Sequence, residues 1–183
     1  MESSRRSIRL KHYDYSQPGG YFITVCTHER NCLFGEVING LMVNNTFGNY
    51  VQRAIEQTST IRPNVYVDCF VVMPNHFHAL VMMLDSDTYS SSTTTDDITT
   101  IEEHTLNRFT SPSRTIGSIV RGIKSSATAQ INTDRNTPKE PVWQRNYYEH
   151  VLRSEHDLHN VRTYILNNPR QWHLDELNPN SIK

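Results

Sequence analysis

The 183-residue sequence predicts an α+β fold: a ferredoxin-like antiparallel sheet with helices packed on one face. Three observations predict it. Short runs of aromatic and β-branched residues, bounded by turn residues, alternate with segments whose apolar residues recur at three and four. The two richest strand runs meet at a Pro-Asn break, which joins them as an antiparallel hairpin. The helical segments follow antiparallel strands rather than alternating with single parallel ones.

Taken in order, Pro18-Gly19-Gly20 is a turn, and Tyr21-Phe22-Ile23-Thr24-Val25-Cys26-Thr27 after it is a strand. Leu33 to Val43 reads as a hairpin-like segment, with Asn39-Gly40 at its turn. Phe47, Tyr50, Val51, Ala54 and Ile55 share one side of an amphipathic helix spanning Asn45 to Thr60. Val65 to Met73 is a second strand, and His76 to Leu84 resumes beyond Pro74-Asn75 as a third. From Asp85 to about Asn107 the chain is acidic and rich in Ser and Thr. Its few apolar groups cannot offset the entropy of ordering it, so a flexible loop is expected there. Ser113 to Asn132 returns to helical spacing through Ile116, Ile119, Val120 and Ile123. An extended segment precedes the last helix, which Ser154-Glu155-His156-Asp157 opens with an Asp in the Glu position of a capping box. Leu158, Val161 and Ile165 line one side of that helix, and Pro169 ends it.

Length and pattern together suit one domain over residues 1–183. No apolar leader follows Met1, and the run Ala79 to Leu84 is too short to span a bilayer, so a soluble cytoplasmic protein is expected. Cys26, Cys32 and Cys69 are odd in number and lack CxxC spacing, which argues against disulfides and thiolate zinc and for three buried small hydrophobes. Six acids lie between Asp85 and Asn107, and setting them aside turns a net charge of −1 into +5 on the remainder. A mildly basic body is compatible with phosphate contacts.

His76-Phe77-His78 is the sharpest chemical feature. On a strand the two imidazoles face one side and Phe77 the other, with the histidines about 7 Å apart along the strand from the rise per residue. Such a pair can converge on a divalent cation, but a third ligand has to come from elsewhere in the fold. Taken alone, an HxH reads first as two surface histidines flanking a core Phe. Tyr164 and Asn168 change that balance, because i,i+4 spacing stacks them on one side of the last helix. A tyrosine oxygen there can attack a phosphodiester, and the Asn carbonyl can complete a shell suited to Mg2+ or Mn2+. A packed Tyr and a C-cap Asn before Pro169 are the plain alternative. Tyr147 and Tyr148 are rival nucleophiles that read better as packing or strand contacts, and His150 as a structural histidine.

Three blocks carry a family resemblance: Val71-Val72-Met73-Pro74-Asn75-His76-Phe77-His78, then Trp143-Gln144-Arg145-Asn146-Tyr147-Tyr148-Glu149-His150, then Tyr164-Ile165-Leu166-Asn167-Asn168-Pro169. In this order they resemble the single-tyrosine HUH transposases, and among those the REP-associated tyrosine transposases. The resemblance runs from about Arg5 to Trp172 and is interrupted by the acidic loop. It implies a ferredoxin-like fold with the histidines on the sheet and the tyrosine on a C-terminal helix. It also implies cleavage of single-stranded DNA to a 5′-phosphotyrosine and a free 3′-OH. In that pattern Tyr164 is the nucleophile and His76 and His78 are metal ligands. Asn168 takes the third-ligand place, where many relatives carry Gln.

For DNA contacts the sequence offers Arg5, Arg6, Arg9 and Lys11, with Tyr13 and Tyr15 just beyond, as a basic arm for a single strand or hairpin foot. A solvated tail is an even alternative. Arg114, Arg121 and Lys124 on the Ser113–Asn132 helix, with Arg145, offer phosphate contacts, and an ordinary charged helix face is equally consistent with that spacing. The reading that follows is a metal-dependent single-stranded DNA endonuclease and strand transferase, monomeric or homodimeric. The alternatives are a domesticated single-stranded nucleic-acid-binding protein, and a small metallohydrolase that uses water in place of Tyr164.

Overall fold

The computed structural model describes residues 13–85 and 115–181. Arg5, Arg6, Arg9, Lys11, Arg114 and the acidic segment beyond Asp85 lie outside them. The elements are β1 (Gly19–Cys26), β2 (Gly35–Ile38), β3 (Leu41–Asn44), α1 (Thr46–Ile61), β4 (Val65–Met73), β5 (His76–Met83), α2 (Ile116–Asp134), β6 (Tyr148–Val151) and α3 (Glu155–Asn167). A 3-10 stretch, Asn168–Leu174, continues from α3.

The main sheet has the order β4-β5-β1-β6 and is antiparallel throughout. Its two strand–helix–strand halves, β1-α1-β4 and β5-α2-β6, interleave so that β1 and β5 are neighbours at the centre. This is the predicted ferredoxin-like sheet. β1 and β5 are buried on both sides because both faces of the sheet are covered, so they read as apolar runs rather than as alternating strands. The predicted turn at Asn39-Gly40 joins β2 to β3, with φ of 51° and 75° at the two residues, as a type I′ hairpin requires.

Tyr21, Ile23, Val25, Phe77, Ala79 and Val81 point to one side, where α1 and α2 close the main core with Val51, Ile55, Ile119, Ile123 and Ile131. Gly48 lets α1 approach the start of β2, since a Cβ there would collide with the Phe34 carbonyl oxygen. Asn45 caps α1, its side chain accepting from Gly48 N at 3.0 Å, and Thr115 caps α2.

The sequence expectation differs from the structure in the placement of α3. This helix lies on the opposite face of the sheet, where Ile165 meets Phe22 and Leu80. The apolar side of α3 is thin: Ile165 is its only fully covered residue among the described ones. A two-point ion pair helps hold it, Arg162 Nε and Nη2 donating to Asp68 at 2.7 Å each, at the bulge in β4 between Val67 and Cys69. Ser154 caps α3 as predicted by accepting from Asp157 N at 3.1 Å, but Asp157 returns its bond to Arg153 N, one residue before the cap. Cys32 is exposed rather than buried, while Cys26 and Cys69 are half-buried. Among the described residues no helix is long and apolar enough to cross a membrane.

Candidate active site

Even-numbered residues of β5 point toward α3, so His76 and His78 face that side and Phe77 faces the main core, as period-two alternation dictates. The rings lean together far more than the strand rise suggests. Their centroids are 4.5 Å apart and the two Nε2 atoms 3.0 Å apart. Both side chains are almost fully buried, and the loss of hydration pushes both imidazoles toward the neutral form. For His76 burial and then the charge of Arg30 lower the pKa to about 3. For His78 burial acts first and His76 second.

The neighbours of the two Nδ1 atoms fix which nitrogen presents a lone pair. Asn75 Nδ2 donates to the carbonyls of Leu177 at 2.7 Å and Arg30 at 3.1 Å, so its other terminal atom is the oxygen. That oxygen lies 2.8 Å from His76 Nδ1, which therefore carries the proton and leaves Nε2 unprotonated. His78 Nδ1 lies 2.8 Å from the Thr24 hydroxyl, which can either donate or accept. Thr24 thus tolerates both tautomers of His78. Without a cation, His78 Nε2–H can donate to His76 Nε2. With one, Thr24 can accept from Nδ1–H and leave both Nε2 lone pairs pointing at the same space.

Tyr164 and Asn168 project from the end of α3 over this pair. The Tyr164 hydroxyl is 3.4 Å from His78 Nε2, and its ring packs edge-on against both His78 and Phe22. Desolvation first and the charge of Asp175 second raise the pKa of that hydroxyl, while a bond from Asn168 opposes the shift. Asn168 is buried, donates to Asp175 Oδ2 at 3.2 Å, and its own oxygen has no partner among the described residues. Asp175 Oδ2 is 4.0 Å from His76 Nε2.

His76, His78 and Asp175 offer ligand atoms that lie within 4.8 Å of one another. Two donors at right angles on an octahedral ion with bonds of about 2.1 Å lie about 3.0 Å apart, and opposite donors about 4.2 Å. The 3.0 Å and 4.0 Å separations here are close to those spacings. Neutral imidazoles, a carboxylate and an orphaned buried amide oxygen form a donor set suited to a divalent cation. Sequence reasoning missed Asp175. It is one of two adjacent acids beyond the last helix, Asp175-Glu176, with no spacing pattern to mark it. Asn75 brings it in by tying Leu177, whose N–H in turn donates to Asp175 Oδ1 at 2.7 Å.

A cavity of about 630 Å3 opens over the pair and is lined by His78, Tyr164, Asn168, Asp175 and the β6 residue Tyr148. Tyr148 is exposed and points into it from beside Thr24, and Tyr147 lines its edge while packing against the main core. His150 is exposed on the edge strand. Arg121 and Arg145 are exposed outside the histidine cavity, and Lys124 is half-buried with its Nζ donating to the Gln144 carbonyl at 2.6 Å.

With sheet, helices and site in place, the fold can be assigned to a class. A solved structure of a REP-associated tyrosine transposase bound to a REP hairpin superposes with a TM-score of 0.57, covering 90% of this chain and 74% of that one at 20% identity. The chain has the fold of that transposase, the group its sequence blocks resemble. It is also 40% identical over 173 residues to an uncharacterized protein of Haemophilus influenzae, which covers 94% of this chain and 92% of that one. The chain belongs to the same family as that protein. No family model matches it.

Proposed function

We propose that the chain is a metal-dependent single-stranded DNA endonuclease and strand transferase of the single-tyrosine HUH transposase type. The observation that carries this reading is the 3.4 Å approach of the Tyr164 hydroxyl to a buried, neutral histidine pair. His76 and His78 hold a divalent cation, Mg2+ or Mn2+, with Asp175 and the Asn168 oxygen as further donors. When bound, the cation polarises a phosphate oxygen and favours the phenolate. Asn75 and Thr24 fix the imidazoles through their Nδ1 atoms.

Tyr164 Oη attacks the phosphorus and loses its proton, and the bond from phosphorus to the 3′ oxygen breaks. That oxygen leaves as a free 3′-OH, while the downstream strand stays joined to Tyr164 through its 5′ phosphate. The new ester keeps the free energy of the phosphodiester, so a second 3′-OH can reverse the attack without a nucleotide cofactor. Because the tyrosine and both histidines come from one chain, a monomer is sufficient for the cleavage step.

The transposase of the same fold is bound to a hairpin, which supports hairpin-bearing single strands as the substrate class. The test uses a pool of 3′-labelled single strands with randomised bases flanking a hairpin, incubated with Mn2+ and run on a denaturing gel. A labelled protein band is expected with the native chain and none with Tyr164→Phe, which should still bind DNA. An equal band from that variant, or strand cleavage with no band, overturns the assignment.

A further inference from the structure

A second cavity lies beside the one over the histidines and shares part of its wall. A groove of about 850 Å3 runs between α2 and the segment 139–147, and it shares Gln144, Asn146 and Tyr147 with the first. Its volume lies within the range of about 300–1,000 Å3 common to ligand-binding clefts. Four cationic side chains line it (Arg121, Lys124, Lys139 and Arg145) against a single acid, Glu140. The carboxylate of Glu140 already pairs with Arg135 Nη1 at 3.6 Å, which leaves the groove strongly basic. Arg121 and Arg145 are exposed and have no ion-pair partner among the described residues.

The groove is preformed. Lys124 Nζ donates to the Gln144 carbonyl, and Trp143 Nε1 donates to Lys124 O at 3.2 Å and Thr128 Oγ1 at 3.1 Å. Those bonds fix the distance between helix and segment, so the groove walls need no reordering when a ligand enters. Apolar wall is present beside the charge, from Val120 and Trp143. Tyr147 stands at the junction of the two cavities. Cations beside aromatic surface, in a groove that shares a wall with the Tyr164 cavity, are the chemistry that holds a single strand.

We infer that this groove seats the nucleotides flanking the scissile phosphate, with phosphates on Arg121 and Arg145 and a base against Tyr147. The inference rests on the proposed reading of the Tyr164 site and extends it to the strand on one side of the cut. It also gives Lys124 a different part from that of a phosphate contact, since its ammonium secures the groove wall.

The test measures anisotropy of a labelled oligothymidine on the full chain carrying Tyr164→Phe, across a salt series. Adding Arg121→Ala with Arg145→Ala is expected to reduce the slope of log Kd against log salt by about 1.4, about 0.7 for each lost phosphate contact. Ser125→Trp, an uncharged obstruction on the exposed groove side of α2, is expected to weaken binding at least tenfold and, by keeping the strand off the two arginines, to reduce the slope as well. Photocrosslinking an iododeoxyuridine-substituted strand should label Tyr147 or Trp143. Unchanged affinity and slope in both variants, or crosslinks confined to other surfaces, overturn the groove assignment. If that happens while native Tyr164 still gives its covalent band, the reading of the catalytic site survives. Groove variants that lose DNA in a chain giving no covalent band keep the groove and sink the nuclease.

Discussion

Acidification from about pH 7.5 to about pH 5 probes the protonation state on which the histidine pair depends. His76 is fully buried and its pKa is lowered from 6.5 to about 3, by desolvation first and then by Arg30. In the unfolded chain the same imidazole takes up a proton near its ordinary value. The folded-state value is the lower one, so the stability it brings is complete above about pH 6.5 and is lost as pH falls toward about 3. Between pH 6.5 and 5 the loss is about 1.5 units at about 1.4 kcal/mol each, or about 2 kcal/mol from His76 alone. His78 is shifted the same way by its own burial and adds to the loss, though Asp175 opposes that shift. For a chain of this size about 2 kcal/mol corresponds to about 4–8 °C in Tm. Urea denaturation of the native chain and of His76→Gln at both pH values reports the contribution of His76 together with its effect on His78, every other titrating group being common to the two. The variant should lose about 2 kcal/mol less than the native chain over that interval. Equal losses would mean that His76 is readily protonated in the folded state, and the neutral lone pair facing His78 would have no basis.

Three further perturbations follow from the same contacts. Asn75→Ala strands His76 Nδ1–H and the carbonyls of Arg30 and Leu177, and should cost about 3 kcal/mol in urea denaturation and about 10–100-fold in Mn2+ affinity by calorimetry. Asp175→Asn keeps the shape but removes the carboxylate nearest His76 Nε2, so Mn2+ affinity should fall about tenfold or more with the far-UV circular dichroism spectrum unchanged. Gly48→Ala would gain helix propensity of about 1 kcal/mol in an open helix. Here the added methyl meets the Phe34 carbonyl, and a net loss of about 2 kcal/mol or more is expected by thermal denaturation.

Much of this architecture was legible because local rules and tertiary demands agree. Period-two alternation put His76 and His78 on one face and Phe77 on the other, and both core clusters respect that division. The Asn39-Gly40 turn and the cap at Ser154 follow from backbone conformations that few residue types satisfy. The i,i+4 spacing of Tyr164 and Asn168 brought both to one cavity, since helical rise and twist are local properties.

The sequence by itself therefore determined the elements, the alternation that aims the histidines, and the pairing of Tyr164 with Asn168. Only the tertiary structure decided that α3 covers the face opposite α1 and α2, because its thin apolar stripe does not say which side of the sheet it will meet. The histidines' 3.0 Å convergence came from ring orientations held by Asn75 and Thr24, which strand rise along the chain does not encode. Asp175 joined the site through hydrogen bonds between residues distant in sequence, and such bonds leave no periodic trace in it.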